Sequence, residues 1–146
     1  MSRVADILAS KGSDVLTVPK TNTVYDAIAK MVKANVGSVI VTDDDGVCGI
    51  FTERDYLRRI VLEGRTSRET RVMEVMSERV VAVDPTREVA DCMSMMTSQR
   101  IRHLPVMDGA RLVGIVSIGD VVRTLSSEKE AEVRYLTDYI SGKYPG

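Results

Sequence analysis

An internal repeat covers most of this chain. When the sequence is shifted by 65 positions, residues 24–58 align without a gap with residues 89–123, and nine of the aligned pairs are identical. Most of the other pairs are alike in character, and Val4-Ala-Asp-Ile-Leu upstream resembles Val72-Met-Glu-Val-Met. A repeat of this length predicts two copies of one supersecondary unit, because one copy is too short to close a core alone.

The repeat also predicts the domain boundaries. Copy one is expected over residues 4–62 and copy two over residues 72–126, with a linker at 63–71. The linker is polar and charged, which is typical of a solvated connection, although its arginines leave open a basic loop that contacts phosphate. After copy two, the capping-box sequence Ser127-Glu-Lys-Glu130 and a sparse apolar stripe predict an added helix over residues 127–142 that belongs to neither copy.

Each copy is predicted to fold as β-α-β-β-α, which gives an α+β protein with pseudo-two-fold symmetry. The strands are expected over residues 15–18, 38–41 and 47–51 of copy one and over 80–83, 103–106 and 112–116 of copy two. The helix between the first two strands has apolar residues at the spacing of one buried face, namely Val24, Ala27, Ile28, Met31 and Val32 in copy one and Val89, Cys92, Met93 and Met96 in copy two. Thr23 and Thr86 are the expected N-caps of these helices.

Composition and motif content exclude several classes of function. The formal net charge is −1, so no overall positive field attracts nucleic acid. No apolar run approaches the roughly 18 residues that span a bilayer, and we expect a cytoplasmic protein without a membrane partner. One histidine and two cysteines, Cys48 and Cys92, fit no metal-site spacing, and core packing is the expected role of both thiols. The phosphate-binding loop and the nucleophile elbow of common enzyme classes are absent, so we expect no catalysis.

Two strand-to-helix junctions carry the most informative residues. They are Gly49-Ile-Phe-Thr-Glu-Arg-Asp55 and Gly114-Ile-Val-Ser-Ile-Gly-Asp120, with the shared form Gly-apolar-apolar-(Thr/Ser)-x-x-Asp. The first N–H groups of a helix lack partners and carry partial positive charge, so a phosphate can bind there beside the Thr52 or Ser117 hydroxyl. An aspartate one turn later can accept both hydroxyls of a ribose. The glycine that opens each junction is expected to leave room for close approach of a ligand to the backbone.

The same junctions have a second interpretation. Thr/Ser-x-x-Asp is a variant of the capping box, which satisfies the start of a helix without any ligand. Recurrence of the pattern in both copies does not separate the two hypotheses, because duplication alone produces it. The residues by themselves leave both open.

The whole pattern resembles the cystathionine β-synthase (CBS) domain pair, or Bateman module. The resemblance rests on the repeated β-α-β-β-α order, the two junctions and the run Ile101-Arg-His-Leu-Pro-Val106, and it is closest to small stand-alone proteins with little besides one pair. It implies a regulatory or signal-transduction module without catalytic activity. It also implies that an adenosine-containing ligand, of the AMP, ADP, ATP, NAD or S-adenosylmethionine class, binds in the cleft between the copies.

The resemblance assigns roles to individual residues. Asp55 and Asp120 are expected to hold ribose hydroxyls. The expected phosphate or ribose contacts are Thr52, Arg54, Arg102, His103 and Ser117, and the expected adenine pocket is formed by Val18, Val36, Ile101 and Pro105. His103 has the alternative of a core histidine, and Arg102 that of a surface charge.

The two clefts are not equivalent in sequence. Arg102-His103 of copy two aligns with Gly37-Ser38, and Glu53-Arg54 of copy one aligns with Ile118-Gly119. We therefore expect one cleft to prefer a longer phosphate chain. The expected partners are the nucleotide, a second copy of this chain in a homodimer, and a regulated protein. The competing hypothesis is a ligand-independent scaffold whose fold serves dimerisation or interaction alone.

Overall fold

The computed structural model describes residues 1–140, and of residues 135 and 138–140 it describes the backbone alone. Copy one consists of strand β1 (Thr17–Pro19), helix α2 (Val24–Ala34), strands β2 (Ser38–Asp43) and β3 (Gly46–Thr52), and helix α3 (Glu53–Asp55), which continues as a π-helical segment, Tyr56–Val61. Copy two consists of α5 (Val89–Gln99), β4 (His103–Asp108), β5 (Arg111–Ser117) and α6 (Ile118–Ile140). Copy one opens with the short helix α1 (Val4–Lys11), and copy two opens with the short helix α4 (Val72–Val75). The predicted α+β class with two like halves is confirmed.

Both copies contain the same hairpin. In copy one β2 pairs antiparallel with β3, and β1 lies parallel to β2 at the other edge. In copy two β4 pairs antiparallel with β5. The register shifts at equivalent places, between Val41 and Thr42 and between Val106 and Met107, so the duplication extends to the irregularities of the sheets.

The first strand predicted for copy two, over residues 80–83, is reduced to a single parallel bridge at its last residue. In copy one the N–H groups of Ile40 and Lys20 each donate to the neighbouring strand, at 3.0 and 2.9 Å. The residues 65 positions later are Pro105 and Pro85, which have no N–H to donate. The strand prediction is therefore wrong for copy two, because prolines remove the bonds on both sides of the bridge.

The two halves exchange their first helices. Helix α4, which begins copy two in the sequence, packs into the core of copy one through Val72 and Val75. Helix α1, which begins copy one, packs into the core of copy two through Val4 and Ile7. The predicted boundaries 4–62 and 72–126 thus describe the sequence repeat, while the packing crosses them, and neither core is complete without residues from the other half.

Backbone hydrogen bonds hold each exchanged helix in place. The N–H of Val72 donates to the Asn22 carbonyl at 2.9 Å, and the N–H of Val4 donates to the Arg87 carbonyl at 2.8 Å. Buried backbone groups need such partners, since an unpaired one costs about as much as a lost hydrogen bond. The exchange therefore links the halves by main-chain as well as apolar contacts.

The C-terminal helix differs from its prediction. Helix α6 runs unbroken from Ile118 to Ile140, so the second helix of copy two and the helix predicted over 127–142 are one element. Ser127-Glu-Lys-Glu130 starts no helix, because the preceding turn is already helical and supplies the acceptors for its N–H groups. Residues 141 and 142 lie outside the described part of the chain.

Two smaller predictions have mixed outcomes. Thr23 caps α2 as predicted, since its hydroxyl accepts from the N–H of Asp26 at 3.1 Å. Thr86 does not cap α5, because the helix begins two residues later, after Glu88, and the Thr86 hydroxyl donates to Asp84 instead. A threonine near an expected helix start is thus a weaker signal than the register of the apolar face.

The linker is packed rather than fully solvated. Thr70 is buried, and the Arg68 guanidinium lies over the Tyr25 ring at 3.9 Å from its centroid. The Ser67 carbonyl accepts from the N–H of Tyr25 at 3.0 Å. Residues 67–70 therefore lie against the start of α2.

Candidate functional site

Both junctions begin with the same main-chain contact. The first helical N–H groups, at Glu53 and Ile118, donate to the carbonyls of Gly37 and Arg102 at 3.1 and 2.8 Å. One of the donors that lack a partner within the helix is therefore already satisfied in each junction. This contact also ties each helix start to the residue that precedes the first strand of its hairpin.

The Asp55 carboxylate caps its own helix. Its Oδ2 accepts from the Thr52 N–H at 3.0 Å and from the Thr52 hydroxyl at 3.1 Å, while the Asp55 N–H donates to Thr52 Oγ1 at 3.2 Å. The capping interpretation is thus confirmed for copy one. No hydrogen bond or ion pair formed within residues 1–140 uses Oδ1 of Asp55, so that oxygen keeps both of its acceptor positions.

The Asp120 carboxylate also caps its helix, but two cations hold it as well. Oδ2 accepts from the Ser117 N–H at 2.9 Å and from Lys11 Nζ at 2.7 Å, and Oδ1 accepts from Arg123 Nη2 at 2.7 Å. Asp120 is only 8% exposed. Burial alone would raise its pKa, but the hydrogen bonds from Lys11 and Ser117 and the charge of Lys11 hold the pKa below its ordinary value.

His103 lies near charged groups of both junctions. Its burial lowers the pKa of the imidazole, and the charges of Lys11 and Arg102 lower it further. The carboxylates of Glu53, from copy one, and Asp120, from copy two, act in the opposite direction without overcoming burial. The imidazole is therefore neutral at pH 7, with one nitrogen that donates and one that accepts.

The predicted adenine-pocket residues differ in their burial. Val18 is fully buried in the core of copy one, and Pro105 is buried within β4. Ile101 packs partly buried against the core of copy two. Val36 is exposed on 41% of its surface and lines a groove. Val18 is thus a core residue of copy one, whereas the core residues of β4 are Leu104 and Val106, so the assignment of Pro105 between them stays a prediction.

The groove beside Val36 lies between α2 and the helical segment 53–61. Its volume is about 720 Å³, which falls in the range of small-molecule sites. The apolar side chains that line it include Ile28, Val32, Val36, Tyr56, Leu57 and Val61. Neither Asp55 nor Asp120 belongs to this lining.

Part of the groove was predicted to be buried. Val32, at the edge of the apolar face of α2, is exposed on 74% of its surface, so its assignment to that buried face is wrong. The i, i+3, i+4 spacing identifies the apolar side of a helix, but it does not say how wide a stripe the neighbouring elements cover.

The junction glycines serve the exchanged helices rather than a ligand. A Cβ at Gly114 would lie 2.6 Å from Leu8 Cδ2 of α1, and a Cβ at Gly49 would lie 2.6 Å from Met76 Sδ. The space that was expected to admit a ligand is therefore filled by the chain itself. This corrects the predicted role of both glycines.

The other predicted contacts lie at or near the junctions. Arg54 and Arg102 are exposed, while Thr52 and Ser117 are half-buried at the ends of β3 and β5. Burial raises the pKa of the Cys92 thiol in the core of copy two and of the partly buried Cys48 thiol, which keeps both protonated at neutral pH. In the described part of the chain no cluster of histidine, cysteine or carboxylate side chains could hold a metal ion, and no helix is long and apolar enough to cross a membrane.

Lys11 and Arg123 were not identified from the sequence. Arg123 lies three residues after Asp120 on the same helix, a spacing that brings side chains together, so this contact could have been predicted. Lys11 is 109 residues away from Asp120 and reaches it through the exchange of α1, for which the sequence contains no signal.

Comparisons with known proteins agree with this architecture. The family model for the CBS domain matches residues 4–62 and 72–127. The CBS domain-containing protein CBSX3, mitochondrial, of Arabidopsis thaliana is 40% identical over 97% of this chain and 73% of its own length. A solved protein with CBS domains from Burkholderia ambifaria MC40-6 is 46% identical, with a TM-score of 0.83 over 85% of this chain and 93% of that chain.

A more distant structure shares the fold. The CBS domain pair of protein MJ0100, solved with 5′-methylthioadenosine and S-adenosyl-L-methionine, is 22% identical to this chain. It superimposes with a TM-score of 0.77 over 88% of this chain and 98% of that chain.

Proposed function

Because the chain belongs to the CBS domain family, we propose that it is a regulatory module that binds an adenosine-containing ligand between its two copies and performs no catalysis. The ligand belongs to the AMP, ADP, ATP, NAD or S-adenosylmethionine class. Binding changes the relative position of the two halves or their association with a partner, and this change is the signal.

The observation that carries the proposal is that groups of both copies meet at the second junction, where Lys11 of copy one pairs with Asp120 of copy two at 2.7 Å. The charges of Glu53, from the first junction, and of Asp120, from the second, also act on the His103 imidazole. A ligand that bridges the copies would therefore meet groups from each. The exchange of α1 and α4 supports a coupled response, because the core of each half contains a helix that belongs to the other half.

The capping role of the two aspartates is compatible with ligand binding in copy one. Oδ1 of Asp55 has two free acceptor positions, which is the number that a ribose diol requires. Thr52 and Ser117 are assigned to ribose or phosphate at the start of their helices, and Arg54, Arg102 and His103 to phosphate. Val36, Ile101 and Pro105 remain the proposed contacts of the adenine ring.

The ligand class rests on the family and on one distant structure. The pair of MJ0100 holds two adenosine compounds, one of them neutral and one with a cationic sulfonium. That protein supports adenosine as the shared part of the ligand and leaves the attached group open. Which attached group this chain prefers depends on its own charges.

A thermal shift experiment with AMP, ADP, ATP, NAD and S-adenosylmethionine tests the proposal. A ligand at 100 times its Kd adds about 2.7 kcal/mol to the free energy of unfolding. For a chain of this length the midpoint rises by roughly 5–11 °C. Asp55→Asn should reduce this rise, whereas Glu63→Gln in the linker should leave it unchanged. Absence of a shift with every compound would contradict the proposal.

A scaffold that needs no ligand is the second candidate, and the exposed apolar surface of copy one favours it. Val32, Leu57, Val61 and Leu62 are each more than half exposed on neighbouring helical segments. Contiguous apolar surface of this kind is typical of an interface, and a two-fold axis would place the same patch of two chains together. We propose a homodimer through this surface, which serves both candidates.

Light scattering separates the two candidates. A scaffold has the same dimer mass with and without AMP, and its melting temperature does not respond to nucleotide. For a sensor, addition of AMP changes the mass or the melting temperature, and the change occurs at the AMP concentrations at which AMP binds.

The proposed location is the cytoplasm, with neither nucleic acid nor a membrane as partner.

A further inference from the structure

The two junction carboxylates are in different states. Asp120 pairs with Lys11 and Arg123, each at 2.7 Å, whereas no ion pair formed by residues 1–140 includes Asp55. The Arg123 side chain is 73% exposed, so water screens its contact strongly. The Lys11 side chain is only 34% exposed and donates to an oxygen that Ser117 also binds. Lys11 is therefore the stronger of the two cationic partners.

The equivalent position of copy one does not repeat this contact. The alignment of Val4 with Val72 places Lys11 opposite Arg79. The Arg79 guanidinium donates to Gln99 Oε1 at 3.1 Å, away from Asp55. Duplication alone therefore does not account for the Lys11–Asp120 pair, and the two sites offer a ligand different groups.

A ribose diol needs two acceptor positions on a carboxylate that has about four. On Asp120 the Ser117 N–H and Lys11 Nζ occupy Oδ2, and Arg123 occupies one position of Oδ1. One position remains. A diol can bind both hydroxyls to Asp120 only if a cation leaves, and the displaced cation then needs another anion.

Lys11 shares an oxygen of Asp120 with the N–H of Ser117, one of the residues assigned to phosphate or ribose. The charge of Lys11 also acts on His103, as does that of Arg102. A phosphate that binds beside His103 would therefore lie within the field of Lys11. The phosphate would then replace Asp120 as the anionic partner of Lys11 when the ribose hydroxyls bind to the Asp120 carboxylate.

We propose that Lys11 makes the second site selective for adenosine compounds that carry a negative charge, because a phosphate replaces Asp120 as the partner of its ammonium group. The proposal rests on the proposed function and adds to it the ligand class of one site. A neutral nucleoside breaks the Lys11–Asp120 pair without compensation. A nucleotide exchanges one ion pair for another.

Isothermal titration calorimetry in an Asp55→Asn background tests this, because the second site alone then reports. The probes are AMP, adenosine and 2′-deoxyadenosine, which lacks the diol. AMP should bind at least tenfold more tightly than adenosine. Adding Lys11→Gln should raise the affinity for adenosine by roughly tenfold, since hydrogen bonds to charged groups are worth about this factor. The affinity for 2′-deoxyadenosine should not change.

Two further variants complete the design. Lys11→Arg keeps the cation and should keep the preference for AMP. Arg79→Gln, at the matched position of copy one, should leave all three affinities unchanged. Thermal unfolding without ligand verifies that each variant is folded, and the Lys11→Gln variant should show normal cooperativity because the residue lies in the last turn of α1.

Each outcome decides the proposal. If wild type and Asp55→Asn bind AMP but Lys11→Gln changes neither adenosine nor AMP affinity, the role of Lys11 is refuted and the proposed function stands. The role of Lys11 is also refuted if the variant strengthens 2′-deoxyadenosine binding equally, or if Asp55→Asn binds no AMP while wild type does. If wild type binds no adenosine compound, both proposals are wrong.

Discussion

Alanine substitution of the two junction glycines should have unequal effects, although the glycines occupy equivalent positions. At Gly114 the three atoms nearest to the new Cβ all belong to the Leu8 side chain, with its two methyl groups at 2.6 and 2.9 Å. At Gly49 it would meet Met76 Sδ at 2.6 Å and the Ser77 carbonyl oxygen at 2.9 Å. A side chain can turn away, whereas a carbonyl moves only with the main chain.

The magnitudes follow from the groups that have to move. Ile50 and Ser77 exchange two main-chain hydrogen bonds, at 3.0 and 2.9 Å, and these lengthen if the Ser77 carbonyl shifts. Overpacking costs about 1–3 kcal/mol and a weakened hydrogen bond about 1 kcal/mol. We expect Gly49→Ala to lower the free energy of unfolding by about 3 kcal/mol. Gly114→Ala should lower it by about 1 kcal/mol or less, because alanine restricts the unfolded chain and offsets part of the strain.

Urea unfolding followed by circular dichroism measures the two free-energy losses, and thermal unfolding followed by the same signal measures the melting temperatures. Gly49→Ala should lower the melting temperature by roughly 6–12 °C, and Gly114→Ala by at most about 4 °C. In a Leu8→Ala background, which removes the methyl groups that the new Cβ would meet, Gly114→Ala should cause no further loss of stability, and this double variant is the matched test of side-chain crowding. Equal losses at both glycines, or a stabilised Gly49→Ala variant, would refute the account of the exchanged helices.

Three further predictions concern charge and association. Asp120→Asn should destabilise the protein at pH 7, and urea titrations should show that its stability falls less than that of wild type when the pH is lowered. The reason is that the pKa of Asp120 is lower in the folded protein than in the unfolded chain. The stability that Asp120 contributes is therefore present above the unfolded pKa and is lost as the pH falls through the folded pKa. A variant with unchanged acid sensitivity would contradict this. When the pH falls below about 6.5, His103→Gln should lose less stability than wild type. The pKa of His103 is lowered in the folded protein, so the unfolded chain binds the proton first as the pH falls. Equal dependence of the free energy of unfolding on pH in the variant and in wild type would argue against a neutral imidazole in the folded protein. Leu57→Glu should convert the proposed dimer to a monomer in light scattering, and a dimer mass unchanged by the substitution would exclude this apolar surface as the interface.

Much of the fold follows from the repeat. The helix α2, its Thr23 cap and both hairpins could be predicted, because periodicity and capping are local properties of the sequence. The loss of one strand could also have been predicted, since Pro85 and Pro105 fall where copy one uses N–H groups.

The exchange of helices could not be predicted. Val4 and Ile7 are apolar residues at helical spacing, and that pattern is satisfied equally by either core. The choice depends on which long-range packing fills both cores at once. Periodicity carries no information about it.

Only part of the candidate site could be predicted, because some of its contacts are local in the sequence and others depend on the exchange of helices. The junction residues Thr52 and Asp55 were found because their contacts span three positions. The Lys11–Asp120 pair depends on the exchange and joins residues 109 positions apart. Val18 could not be distinguished from a pocket residue, because an apolar side chain on a short strand can face a ligand or the core.

A crystal structure of the protein with AMP tests the central claim most directly. We predict that both ribose hydroxyls lie within hydrogen-bond distance of Asp55 Oδ1, with the Thr52 cap retained on Oδ2 and the phosphate directed towards His103. AMP bound along α2 in the apolar groove, with Asp55 in contact with Thr52 alone, would contradict it.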